Sequence, residues 1–287
     1  MKKKTKIISI IIALIVVISA AAGAAYYELS GIKPIAPKET VSISTSSVAD
    51  LSKIKMIAHR GLSAIAPENT LAAFKAACDA GHYGVEYDIQ LTADGFWVIS
   101  HDDNMRKMTG KNIKIADTEL ADLEKITYNN GANIDKYDGI VIPTLEETLA
   151  IISKYNIVSV IEIKTETADK IEEFLNLLKE YKVLDKVRVI SFNEEPLKKV
   201  KELNPKIPTS YLTHKVDDSV IELCKKDGFE AVSFNHKKCD ESSVKMITDA
   251  GLVPQCWTVD KISEFEKFAG YGVEYFTSNC LLPAEKK

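Results

Sequence analysis

Histidine, cysteine and tryptophan are scarce in this chain of 287 residues: five, five and two. The cysteines, Cys78, Cys224, Cys239, Cys256 and Cys280, are odd in number, and no two have the Cys-x-x-Cys spacing of a zinc site. Cys78 and Cys224 fall on apolar helix stripes, so core thiols are expected rather than disulfides. Basic charge is thin over the body. Lys and Arg number 37 against 41 Asp and Glu, and four of the lysines (Lys2, Lys3, Lys4, Lys6) stand at the extreme N-terminus. Setting those four aside leaves 33 against 41, a net charge of −8. An acidic body excludes nucleic acid as the main partner, because neutralising a phosphate backbone takes clustered Lys and Arg. It leaves room for a small phosphorylated substrate held by one or two cations. With 46% hydrophobic and 27% charged residues, wholesale disorder is also excluded.

The long hydrophobic run is N-terminal. Ile7–Tyr27 carries no charge, follows the lysine tip and precedes Glu28. It is long enough for a bilayer-spanning helix, which needs ~20 residues, and it is apolar all round, unlike the striped face of a core helix. Residues 1–28 are therefore expected to form a cytoplasmic tip and a single-pass membrane anchor, with the body outside the cell. The alternative is a signal peptide cleaved near Ala20-Ala21-Ala22-Gly23-Ala24, which would give a secreted body. Residues 29–52, rich in Ser, Thr and Pro, are expected to be a flexible, extended stalk.

From Lys53 onward, short β-branched runs alternate with helical stripes. Strands are expected at 55–59, 84–90, 157–163, 187–191, 208–212, 231–233, 253–257 and 273–277. A further pair, 90–91 and 97–100, flanks the hairpin signal Asp94-Gly95. Helix starts and stops lie between them: Asn69/Thr70 before Leu71, a capping box in Thr144-Leu-Glu-Glu147, and glycines at 81, 228, 251 and 270. Eight such units predict a TIM-like (β/α)8 barrel spanning 53–287. An open doubly wound sheet would want Gly-x-Gly-x-x-Gly after the first strand, where this chain has His59-Arg60-Gly61. The stretch of about 102–143 interrupts the alternation and is expected to be a small insertion after the second strand, on the catalytic face.

Function in such a barrel gathers at the C-terminal ends of the strands. In order, those ends offer His59 and Arg60; Glu86 and Asp88, then His101 and Asp102; Glu162 and Lys164; Ser191; Tyr211; Asn235; Trp257; Thr277. Glu86 and Asp88, two apart on a strand, point to one face, as do Glu162 and Lys164. Their apolar flanks (Val85, Ile89, Ile161, Ile163) make a solvated face a poor explanation. Three carboxylates in one mouth repel unless a cation sits among them, and an all-carboxylate set suits Mg²⁺ or Ca²⁺ rather than zinc. The competing explanation is a strand-end ion pair of Glu162 with Lys164. His59 and His101 fit acid–base work near neutral pH, and Arg60 offers a planar fork to a phosphate or carboxylate. His82, His214 and His236 are expected to be ordinary polar residues.

The order Ile57-Ala-His59-Arg60-Gly61, Ala66-Pro-Glu-Asn-Thr70, Val85-Glu-Tyr-Asp-Ile89, Ser100-His-Asp102 and Ile161-Glu-Ile-Lys164 resembles the glycerophosphodiester phosphodiesterase family, and Trp257-Thr-Val259 is similar to its late motif. The resemblance implies a divalent ion bound by Glu86, Asp88 and Glu162. It implies catalytic roles for His59 and His101, and substrate contacts from Arg60, Lys164, Asn69 and Trp257, with Glu68 and Asn69 shaping the first loop. Three departures stand out. Asp260 replaces the usual Asn after Trp-Thr-Val, Thr277-Ser278-Asn279-Cys280 stands where the family often has Thr-Asp-Xaa-Pro, and Met105-Arg106-Lys107-Met108-Thr109 is an altered form of the segment after His-Asp.

The expected activity is metal-dependent hydrolysis of glycerophosphodiesters to sn-glycerol 3-phosphate and an alcohol, in lipid or glycerol metabolism. The expected partners are the small substrate and, through the N-terminal helix, the lipid bilayer, with no protein partner. A lysophospholipase D-like activity or hydrolysis of a polyglycerol-phosphate wall polymer is the nearer alternative. A non-catalytic surface-binding module is the alternative of another class.

Overall fold

The computed structural model describes residues 31–44 and 50–284. Eight parallel strands form the barrel: β2 (Lys55–Ala58), β3 (Gly84–Leu91), β5 (Val158–Ile163), β6 (Val187–Ser191), β7 (Thr209–Thr213), β8 (Ala231–Asn235), β9 (Val253–Trp257) and β10 (Tyr275–Ser278). Each pairs with the next, and β2 pairs with both β3 and β10, so the sheet closes. Closure removes the unpaired edges that an open sheet must protect. The period of two divides the side chains. Ile57, Val160, Ile190 and Leu212 cluster inside the barrel. Met56, Val85, Ile161, Val189, Val232 and Phe276 join the larger core outside it, against the helices.

The helices begin where side chains can satisfy their free N–H groups. Thr70 caps α1 (Leu71–Asp79), its hydroxyl accepting from the Ala73 N–H. β4 (Trp97–Ile99) pairs antiparallel with the end of β3 across the Asp94-Gly95 turn, as the sequence predicts. The insertion follows, with α2 (Arg106–Thr109), α3 (Leu120–Leu123) and two single 3₁₀ turns. It has its own small core, including Met105, Ile115, Leu123, Ile126 and Ile142. The Thr144/Glu147 capping box then opens α4 (Leu145–Ile152). The remaining helices alternate with strands: α5 (Ile171–Glu180), α6 (Glu194–Leu203), α7 (Asp218–Asp227), α8 (Glu241–Asp249) and α9 (Ile262–Gly270). All five cysteines are free thiols.

The expected stalk needs correction over 31–44. This segment is a strap bound to the barrel. Its strand β1 (Val41–Ser42) pairs in parallel with β11 (Leu281–Leu282). Ile43 is 2% exposed and belongs to the main core. The Ile35 N–H donates to Asn130 Oδ1 at 2.9 Å, and the Lys38 N–H to the Ala64 carbonyl at 2.9 Å. The Ser/Thr/Pro composition masks Ile32, Ile35 and Ile43, whose wide spacing gives no periodic signal but suffices to pin an extended chain. Among the described residues no helix is long and apolar enough to cross a membrane. The expected anchor at Ile7–Tyr27 lies outside the described residues.

Candidate active site

The first loop folds back over β3 because two successive residues are left-handed. Arg60 has φ 57° and Gly61 φ 76°. A Cβ at position 61 would stand 2.6 Å from the Ala73 carbonyl carbon, so only glycine fits. The turn aims the Arg60 N–H at Glu86 Oε2 (2.7 Å) and the Gly61 N–H at the Glu86 carbonyl (3.1 Å). Asn69, at φ 54°, is of a type that tolerates this region. Its Nδ2 donates to Asp88 Oδ2 at 2.8 Å, and its Oδ1 accepts from the Asp88 N–H at 3.3 Å. Asn69 was expected as a substrate contact. It is 3% exposed and both ends of its amide engage Asp88, so its role here is to hold that carboxylate.

Register places Asp88 of β3 beside Glu162 of β5. Together with Glu86 they offer oxygens that all lie within 4.8 Å of one another. Glu86, Asp88 and Glu162 are 2%, 0% and 8% exposed. Two cations lean on them. Lys164 Nζ is 2.9 Å from Glu162 Oε1 and 3.7 Å from Asp88, and Arg60 Nε is 3.6 Å from Asp88. Arg60 also bonds Glu68 at 2.9 Å, which in turn holds Lys107 of the insertion at 2.6 Å. That is three cations against four buried or half-buried carboxylates. Burial, with Asp88 and Glu162 nearby, raises the Glu86 carboxyl well above its ordinary range. Burial and Asp88 push Glu162 up to about 7. Asp88, despite burial, is held below the ordinary carboxylate value by Arg60, His101 and Lys164.

This set fits a hard cation. Asp88 Oδ1 is buried and has no hydrogen-bond partner among the described residues, the Lys164 ammonium standing 3.7 Å away, so a coordinated cation would satisfy it. The donors are all carboxylate oxygens, the chemistry of Mg²⁺ or Ca²⁺ sites.

The two histidines sit at the same mouth and are oriented differently. His59 Nδ1 lies 2.8 Å from Asn279 Oδ1. His101 Nδ1 lies 2.8 Å from Asp102 Oδ1. Both partners are acceptors, so both Nδ1 atoms carry hydrogen and both Nε2 atoms are left for chemistry. Burial and the adjacent Arg60 lower His59 to about 4, keeping its Nε2 lone pair free at neutral pH. His101 is held by the Asp102 carboxylate, which fixes the orientation of its ring.

Residues 59–279 match the model of the glycerophosphoryl diester phosphodiesterase family. This chain belongs to that family. A glycerophosphodiester phosphodiesterase from Caldanaerobacter subterraneus is 32% identical over 77% of this chain and 92% of its own length. A Bacillus subtilis glycerophosphodiester phosphodiesterase is 29% identical over 77% of this chain and 82% of its own. Among solved structures, an Oleispira antarctica phosphodiesterase in complex with the product sn-glycerol-3-phosphate matches with a TM-score of 0.73. It is 30% identical and covers 78% of this chain and 92% of that one. The chain is accordingly an enzyme, a phosphoric diester hydrolase, on a TIM-like barrel.

The opposite side of this phosphodiesterase mouth is aromatic. Phe192, His214 and the expected Trp257 meet with ring centroids 5.3–5.8 Å apart. The Trp257 indole N–H is spent on the Ser233 carbonyl, which fixes the ring. Ser191 and Tyr211, expected at the strand ends, do not face the mouth. Ser191 is fully buried with its hydroxyl on the Ile163 carbonyl, and Tyr211 packs against the outer core. The inward parity belongs to Ile190 and Leu212, and two residues further along it Phe192 and His214 reach the mouth. His214, expected to be ordinary, thus joins the site wall. Sequence reasoning also missed Lys107, Asp260 and Asn279 as parts of the site. All three were visible only within departures from the family pattern.

Proposed function

We propose that this enzyme hydrolyses glycerophosphodiesters to sn-glycerol 3-phosphate and an alcohol with the help of one divalent cation, Mg²⁺ or Ca²⁺. The observation that carries the reading is the buried trio Glu86, Asp88 and Glu162 with its orphaned Asp88 oxygen, set beside two histidines whose Nε2 atoms are uncommitted. Glu86, Asp88 and Glu162 would hold the ion, which would supply charge to polarise a phosphoryl oxygen. Arg60 and Lys164 bind the phosphate and balance the charge that develops on it. His59 Nε2 takes the proton of the attacking hydroxyl, from water directly or from the substrate's own glycerol; in the second case the alcohol leaves a cyclic glycerol phosphate, which water then opens to sn-glycerol 3-phosphate with the two histidines exchanging roles. His101 Nε2 gives a proton to the departing alcohol oxygen, and Asp102, on Nδ1, holds the ring in place for that transfer. Phe192, His214 and Trp257 present an apolar face to the alcohol portion.

The test is product release from glycerophosphocholine, with and without chelator. Choline and sn-glycerol 3-phosphate in equal amounts, lost on chelation and restored by Mg²⁺ or Ca²⁺, support the reading. Binding of the diester without turnover would instead favour the non-catalytic module.

We further propose that the lysine tip and Ile7–Tyr27 anchor the enzyme with its barrel outside the cell. From Tyr27 to Lys33, whose carbonyl accepts from Asn130 in the insertion, is six residues, a reach of at most ~22 Å. An anchor there keeps the catalytic face near the bilayer, which favours lipid-derived substrates, including those of a lysophospholipase D-like activity. Protease digestion of intact cells that spares the barrel, or a soluble form beginning near Ala22–Tyr26, would refute the anchored arrangement.

A further inference from the structure

We infer that Lys38, on the strap that precedes the barrel, is a positioning residue for His59, acting through Asp260 and Asn279. This rests on the acid–base role proposed for His59.

The chain of contacts has a fixed polarity. The Asp260 carboxylate can only accept. The Asn279 backbone N–H donates to its Oδ1 at 2.8 Å, and Asn279 Nδ2 donates to its Oδ2 at 2.8 Å. The amide orientation of Asn279 is thereby set, and its Oδ1 must face the other way. There it accepts from Ser63 Oγ at 3.0 Å and meets His59 Nδ1 at 2.8 Å. An amide oxygen has no proton to give, so His59 carries its hydrogen on Nδ1 and its lone pair on Nε2. Turning the amide over would present Nδ2 to the ring, invert the tautomer and remove the base.

Asp260 is the pivot, and Lys38 secures it. Lys38 Nζ lies 2.7 Å from Asp260 Oδ2, and Ser278 Oγ donates to Oδ1 at 3.2 Å. Against partial burial, Asn279 and Lys38 hold Asp260 down to about 2, so the carboxylate stays ionised. The lysine is itself held by its backbone. Its N–H bonds the Ala64 carbonyl, and the Ala64 N–H bonds the Asn279 carbonyl at 3.1 Å. Strap, first loop and the segment after β10 are laced together around His59. The charged groups acting on the imidazole are Arg60, Asp88 and Glu68, and Asp260 reaches it through the amide.

The test is a kinetic cycle. Lys38→Met is made in the wild type and in the exchange variant Asp260→Asn/Asn279→Asp. In the exchange variant the amide donates to the new carboxylate, which accepts from His59 Nδ1. The tautomer is kept and Lys38 has lost its partner. The Lys38–Asp260 pair is half-exposed, so its loss is modest, and Lys38→Met should lower kcat about twofold to fivefold in the wild type. KM should stay within about twofold, and Lys38→Arg should restore the rate. In the exchange background Lys38→Met should leave kcat unchanged. The acid limb of kcat/KM in the exchange variant should move upward, because a carboxylate replaces an amide on Nδ1. As a second measurement, ¹⁵N imidazole shifts of Lys38→Met should show a gain of the Nε2–H tautomer at His59. Equal losses in both backgrounds, or a loss confined to KM, would make the strap merely structural and overturn the inference. So would an unchanged tautomer and kcat in Lys38→Met. His59→Ala is assayed alongside. If it keeps kcat within tenfold, the acid–base reading itself has failed. If it is inactive while Lys38→Met is silent in both measurements, the positioning role alone has failed.

Discussion

Replacing Glu162 by Gln should stabilise the metal-free enzyme and abolish its response to metal. Burial and Asp88 raise the Glu162 carboxyl to about 7 from an ordinary 4.5. Between those pH values the unfolded chain has released a proton that the folded chain retains, so stability falls as pH rises. At 1.36 kcal/mol per unit, the full cost above pH 7 is about 3 kcal/mol. Gln removes that cost, but Lys164 loses its 2.9 Å partner and keeps Asp88 at 3.7 Å. Lys164 keeps Asp88 and some solvent, so the loss is one hydrogen bond, ~1 kcal/mol, which leaves a net gain of about 2 kcal/mol. For a domain of this size that is a Tm rise of about 4–8 °C at pH 8 in chelator. The gain should fade toward pH 4.5, where the carboxyl is protonated in both states. Saturating Mg²⁺ or Ca²⁺ should reverse the ranking, since ion at a hundredfold its Kd adds about 2.7 kcal/mol to the wild type. Thermal unfolding of both proteins at pH 5 and 8, with chelator and with each ion, reads all of this. A variant less stable than wild type in chelator at pH 8, or one that gains the same Tm from the ion, would refute the account of the acidic trio.

The histidine roles separate by leaving group. His59→Ala and His101→Ala should each lower kcat by ~10²–10⁴ on glycerophosphocholine, and a nitrophenyl ester, which needs no proton donation, should rescue only His101→Ala. Rescue of His59→Ala instead would exchange the two roles. The acid limb of kcat/KM set by His59 should lie well below 6.5, because activity requires the neutral imidazole and burial beside Arg60 lowers it to about 4 before any ion binds. A limb at 6.5 that vanishes in a His59 variant would contradict this. Gly61→Ala forces a Cβ against the Ala73 backbone at φ 76°. By left-handed strain and overpacking it should cost about 2–4 kcal/mol in urea unfolding, and an unchanged midpoint would show that the turn yields.

The sequence by itself determined the local elements and the chemistry of one side of the site. β-branched runs alternating with capped helical stripes specify strands and helices through short-range sterics. Carboxylates two apart within apolar strands announce Glu86, Asp88 and Glu162, because few other arrangements bury such groups. Tertiary structure decided what meets across long separations. Closure sets β2 beside β10, and only then does His59 find Asn279, 220 positions away. Only then does Lys38 find Asp260, 222 positions away. The strap has no local signature, since isoleucines at 32, 35 and 43 match neither period and gain meaning from the surface they meet. Phe192 and His214, not Ser191 and Tyr211, line the mouth because the barrel, once closed, decides which parity of each strand points inward. A list of residues carries the alternation but not its phase at the strand end.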